Sequence, residues 1–122
     1  MKIQVFQSFW GMTSLPYGSD AEWNIEKKLE KIAEAGFDGV EWLMEYEDQR
    51  KEMGPICDRL GLKRSNIVFP WTPEDFVDDI KAAEDGGASH INLQPMPMPR
   101  LVAHGVPYIV RLIDMAAEAG YQ

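Results

Sequence analysis

One phrase recurs along this chain and limits its fold more than any other feature: an apolar and acidic run that ends at glycine and passes into a strand-like segment. Ile32-Ala33-Glu34-Ala35-Gly36 precedes Phe37 to Trp42, and Ala82-Ala83-Glu84-Asp85-Gly86-Gly87 precedes Ala88 to Gln94. Cys57-Asp58-Arg59-Leu60-Gly61, before Leu62 to Phe69, is a looser copy, and Ala116-Ala117-Glu118-Ala119-Gly120 is the last. Each reads as a helix ended by a glycine in the left-handed C′ conformation, followed by a strand. Gly36, Gly61, Gly87 and Gly120 lie 25, 26 and 33 residues apart, the length of one β/α unit.

Strands are expected at Lys2 to Trp10, Asp38 to Leu43, Lys63 to Phe69 and Ser89 to Gln94. Ser19 with Glu22 reads as a capping box for a first helix whose apolar stripe is Ile25, Leu29, Ile32 and Ala33. The second helix carries Met53, Ile56, Cys57 and Leu60, and Gly54-Pro55 should leave it short or kinked. Thr72-Pro73-Glu74-Asp75 supplies an N-cap, a first-turn proline and acids at the positive helix end, after which Phe76, Ile80 and Ala83 face inward. Ile109, Leu112, Ile113, Ala116 and Ala117 mark the last helix. The acidic run Glu45 to Asp48 reads as a solvated helix start.

Alternating strands and helices with right-handed crossovers give a parallel sheet. Residues 1–122 are therefore expected to form one domain, the N-terminal half of a (β/α)8 TIM barrel with strands 1–4 and helices 1–4; the whole barrel needs ~250 residues. The strand-to-helix links, Gly11 to Asp20 and Pro95 to Gly105, run to about ten residues, whereas the helix-to-strand links are short. Long loops at the carboxyl ends of parallel strands are where such folds keep their sites. In the second link, Gln94-Pro95-Met96-Pro97-Met98-Pro99-Arg100, three alternate prolines should hold the backbone extended.

With 12 Lys and Arg against 20 Asp and Glu, the net charge of −8 disfavours nucleic acid and anionic membrane surfaces as partners. No apolar run approaches the ~20 residues of a membrane helix. A lone cysteine, Cys57, builds no internal disulfide, and Met1 leads into a strand-like segment without a secretory core, so a cytoplasmic setting is expected.

His90, Asn92 and Gln94 share one face of the fourth strand and Ile91 and Leu93 the other, whereas a parallel strand is normally apolar on both. With Ile91 and Leu93 toward the helices, the polar three point into the barrel: His90 and Asn92 as fixed hydrogen-bonding groups, Gln94 at the rim as a candidate substrate contact. Glu41 stands near the end of the second strand, where a carboxylate needs a partner or a use. General base, acceptor for a sugar hydroxyl, and salt-bridge partner of Arg64 or Arg100 are all open to it. Trp10, Trp42 and Trp71 fall at or near strand ends, and flat aromatic faces suit sugars and small polyols; Trp42, alternating with Glu41, is expected under the helices, and Trp23, on the first helix, is expected to be structural. His90 and His104 lack metal-ligand spacing, Gly86-Gly87 is a helix stop rather than a phosphate loop, and Cys57 belongs to the core.

Lys2-Ile3-Gln4-Val5, Ala35-Gly36-Phe37-Asp38-Gly39-Val40-Glu41-Trp42 and Ala117-Glu118-Ala119-Gly120-Tyr121 together resemble the xylose isomerase-like TIM barrels, the sugar phosphate isomerase and epimerase family. Its members with such an opening include sugar epimerases, inosose-type dehydratases and apurinic endonucleases, the last disfavoured by the acidic charge. The resemblance implies a sugar or polyol substrate and a divalent metal (Mn, Mg, Co or Zn) whose ligands come from strands five to eight, beyond Gln122. It also implies that this chain supplies only the substrate rim: Glu41 as the catalytic residue, with Trp10, Trp71, Gln94 and His104 binding substrate. A half-barrel has two open edges and an uncovered interior, so a homo-oligomer or a separate C-terminal half is the expected partner. The alternative is a non-catalytic half-barrel that serves association, or a truncated fragment without activity of its own. A receiver-like flavodoxin fold has this length, but the first and third strands end in Ser8-Phe9-Trp10-Gly11 and Phe69-Pro70-Trp71, without its acidic residues.

Overall fold

The computed structural model describes residues 3–96 and 101–121. Strand β1 (Phe6–Ser8) leads through a 3-10 turn (Phe9–Met12) to helix α1 (Ile25–Glu34), and β2 (Gly39–Trp42) to α2 (Glu47–Leu60). Then follow β3 (Lys63–Val68), α3 (Pro73–Asp85), β4 (His90–Leu93) and α4 (Val102–Glu118). The strands lie in the order β1-β2-β3-β4, every pair parallel. A doubly wound sheet places later strands on both sides of the first and helices on both faces; here the order is sequential and the helices share one face. The architecture is half of a (β/α)8 barrel.

That face is set by alternation. Val40, Trp42 and Met44 pack with Leu29 and Ile32 of α1 and Met53 and Cys57 of α2, while Val68, Ile91 and Leu93 pack with Phe76 and Leu112 of α3 and α4. Between these two clusters stands a buried polar residue, Asn66 of β3. Its Oδ1 accepts from the Met44 amide at 2.9 Å and its Nδ2 donates to the Asp79 carbonyl at 3.1 Å, tying the β2–α2 loop to α3. Glycines 36, 61, 87 and 120 all have positive φ, as the recurring helix stop requires.

Several boundaries differ from the sequence reading. Helix α1 begins after Asn24, whose Oδ1 accepts from the Lys27 amide at 2.8 Å; Ser19 instead bonds within its own turn to Ala21, and Glu22 pairs with Lys28. β1 is shorter than Lys2 to Trp10 because the Asp38 carboxylate takes the Val5 amide and the chain coils after Ser8. Helix α2 runs 14 residues through Pro55; Pro55 and Lys51, whose carbonyl loses its partner, both lie on the exposed side. Helix α4 begins at Val102 and takes in His104 and Gly105, so the fourth strand-to-helix link is shorter than Pro95 to Gly105. Its Pro97 to Arg100 portion lies outside the described residues. Among the described residues no helix is long and apolar enough to cross a membrane.

Candidate functional site

On the face away from the helices, the ladder register sets Ser8 beside Glu41, Glu41 beside Ser65, and Ser65 beside His90. This is a polar row running across all four strands, with Asn92 one step nearer the carboxyl rim. Glu41 is its centre. Its Oε2 accepts from Ser65 Oγ at 3.2 Å and from Asn92 Nδ2 at 3.0 Å, while among the described residues Oε1 takes no hydrogen bond. Two donors on one oxygen hold the carboxylate in a single orientation and leave the other oxygen free to accept.

His90 Nδ1 lies 3.1 Å from Ser89 Oγ. Burial holds its imidazole below the usual histidine range against the upward pull of Glu41, with Lys63 acting in the same direction as burial. The ring is neutral at neutral pH and can both donate and accept.

Aromatic contacts close the row from both ends. The Phe6 ring meets His90 edge-on, centroids 4.6 Å apart, although β1 and β4 are separated by two strands. The sheet is therefore curled rather than flat, since three spacings of a flat sheet would put these strands ~14 Å apart. Gly39 makes the crossing possible: a Cβ there would stand 2.6 Å from Phe6 Cδ1. Toward the carboxyl rim, Trp10 stacks on Phe69 at 5.8 Å and 13°.

Among the residues singled out in the sequence, Glu41, Asn92 and His90 are brought together. Gln94 follows β4 directly and is exposed at the rim, in step with Asn92. Trp10 is half-exposed above the concave face. Trp71 is exposed too, but it lines a different space, a cleft of about 540 Å³ walled by Arg50 of α2 and Asp78, Asp79 and Lys81 of α3. His104 sits in the first turn of α4 rather than on a loop. Arg64 points away from Glu41 and pairs with Asp58 at 2.8 Å, and Arg100 lies outside the described residues. Trp42 and Cys57 are core residues, and burial pushes the Cys57 thiol up to about 11. Sequence reasoning missed Ser65, Ser8 and Phe6. Ser65 had a signal, since a serine two residues below the apolar Ile67 on a buried strand face needs a polar partner.

The cleft divides the helix layer, with α1 against α2 on one side and α3 against α4 on the other. Asp79, half-buried in it, is raised to about 6 by burial and then by the charges of Glu45, Asp75 and Asp78. Among the described residues no three His, Cys, Asp or Glu side chains converge to hold a metal ion. Glu41 has a hydroxyl and an amide as neighbours, and those side chains alone do not fit a divalent metal.

No family model matches the chain, and no curated protein matches it. Among solved structures, a 3-dehydroquinate dehydratase from Geobacillus kaustophilus HTA426 is similar, with a TM-score of 0.64 and 16% identity over 96% of this chain and 46% of that one. The chain spans less than half the length of that neighbour. The likeness shows a shared fold, and it overturns the resemblance to the xylose isomerase-like family together with the sugar isomerase or epimerase activity it implied. The motif that carried the resemblance has structural work at nearly every position. Gly36 turns with φ 85°, Phe37 packs on the core, Asp38 binds the Val5 amide, Gly39 admits Phe6, and Val40 and Trp42 face the helices. Only Glu41 is left for chemistry.

Proposed function

We propose that the concave face binds a small hydroxylated carbonyl compound and that Glu41 accepts a proton or a hydroxyl hydrogen bond from it, in a reaction of the dehydrating kind that the structural neighbour's name describes. The observation that carries this reading is the Glu41 carboxylate fixed by Ser65 and Asn92 through one oxygen, with the other open on a concave, strand-lined face. Neutral His90, across Ser65 from Glu41 in the same row, suits proton transfer to or from an oxygen, and Gln94 and half-exposed Trp10 supply a polar and a flat contact at the rim. Trp71 and His104 would be contacts only for a ligand that extends past the rim. In such a dehydration a base takes a proton from the carbon next to the carbonyl, the electron pair forms the C=C bond, and hydroxide leaves as water after protonation. The acidic charge, which opposes nucleic acid, and a reduced Cys57 fit a cytoplasmic small-molecule protein.

The test is to incubate the purified chain with 3-dehydroquinate and simpler β-hydroxy ketones and to follow the ultraviolet absorbance of the conjugated enone. The Glu41→Gln variant should lose turnover by ~100-fold or more, the contribution of a general base. Enone formation unchanged in that variant would remove Glu41 from the chemistry. No turnover, and no binding of any such compound, would remove the reading.

A further inference from the structure

Helix α4 is apolar over far more of its circumference than its own sheet uses. Leu112, Tyr108, Met115 and Ala116 face β4 and α3, yet Val102, Val106, Ile109, Val110 and Ile113, at helical spacing beside them, are 36–78% exposed. Together they make an apolar arc roughly twice the ~100° stripe of an ordinary surface helix. A right-handed β/α crossover lays each helix over its own strand and the next. Among the described residues the sheet ends at β4, so α4 has no next strand beneath it.

The opposite edge has the complementary lack. Ile3 and Val5 precede β1 on the alternation that faces the helix layer, in step with Gln7 beside Val40, and they are 75% and 51% exposed with no helix above them. Together with Leu101, the uncovered side chains of α4 and β1 amount to on the order of 700 Å² per copy, close to the ~800 Å² per partner of a stable dimer and above the patches usual on monomers. One body has a helix side without a strand and, at the other edge, a strand that lacks its second helix.

We infer that a second copy of this chain closes the sheet, each copy's β1 pairing in parallel with the free edge of β4 of the other beneath α4, to give an eight-stranded barrel about a twofold axis. A twofold along the barrel axis keeps all strands parallel, uses both open edges, and leaves none for further growth.

Sedimentation equilibrium of the purified chain over about 1 to 100 μM should show one species of twice the chain mass, with no larger assembly. Val106→Glu with Ile113→Glu, both at exposed positions, should weaken association by at least ~100-fold while the circular dichroism of the single copy persists. A second measurement fixes the arrangement. Val5→Cys chains mixed with Ile109→Cys chains under mild oxidation should form the mixed disulfide in preference to either like pair, and buried Cys57 does not compete. A monomer throughout the range, open-ended aggregation, a dimer indifferent to the α4 charges, or preferred Val5→Cys self-pairing would each overturn the inference.

Discussion

A methyl group added at Gly39 is forced against two neighbours at once. The new Cβ of Gly39→Ala would lie 2.6 Å from Phe6 Cδ1 and 2.6 Å from the Lys63 carbonyl oxygen. Phe6 can swing only by giving up its edge contact with His90; the Lys63 carbonyl belongs to β3 and moves only with the β2–β3 pairing. Overpacking of this kind costs ~1–3 kcal/mol, partly offset by the ~0.4–1 kcal/mol that alanine gains through the unfolded chain. The expected net loss is about 1.3 kcal/mol, or roughly 5 °C in Tm for a domain of this size. Urea titration at one fixed chain concentration measures it, since association also moves apparent stability. In a Phe6→Leu background the ring is gone but the carbonyl remains, so the same change should cost about half as much, a coupling of about 0.7 kcal/mol. A Gly39→Ala variant as stable as the parent, or no coupling to Phe6, would refute the reasoning that β1 reaches across β2 toward β4.

Asn66→Ala should cost ~1–3 kcal/mol in thermal or urea unfolding, because it leaves the buried Met44 amide without a partner and takes from the Asp79 carbonyl the bond it makes beside its helical one. Asp79, raised to about 6 from an ordinary 3.8, binds more protons folded than unfolded, so its contribution is fully present below about pH 4 and lost as pH rises through about 6. Fully buried, that shift would be worth about 3 kcal/mol; discounted for its partial exposure it is about 1. Asp79→Asn should therefore stabilise the chain by about 1 kcal/mol at pH 7 and by nothing near pH 4, read from paired melting curves.

The repeating unit was legible because it rests on local rules: a glycine that can adopt positive φ ends each helix, and the capping box of Thr72 and Asp75 forms as its spacing requires. The first helix start was misread because Ser19-x-x-Glu22 satisfies the same local rule, while Lys28 draws Glu22 away and Asn24 caps instead. At the site, the inward face of β4 could be read from alternation, and so could the need of Glu41 for a partner. Its actual partners, Ser65 and Asn92, depend on register between strands 24 and 51 residues away, which no local pattern states. The Phe6–His90 contact was hidden for the same reason, as it depends on the curl of the whole sheet. The family resemblance failed because its motif reports the helix-to-strand turn shared by many barrels more than it reports chemistry.

The most direct test of the concave site is side-chain amide NMR of Asn92 and Gln94 during titration with a cyclic polyhydroxy acid such as quinate. Saturable shifts are expected at Asn92 and Gln94, and at the backbone amides of Glu41 and Ser65, all abolished by Glu41→Gln in a chain that stays folded. Shifts confined to Asn66, Trp71 and Asp79 would place binding in the cleft between α2 and α3 and contradict it.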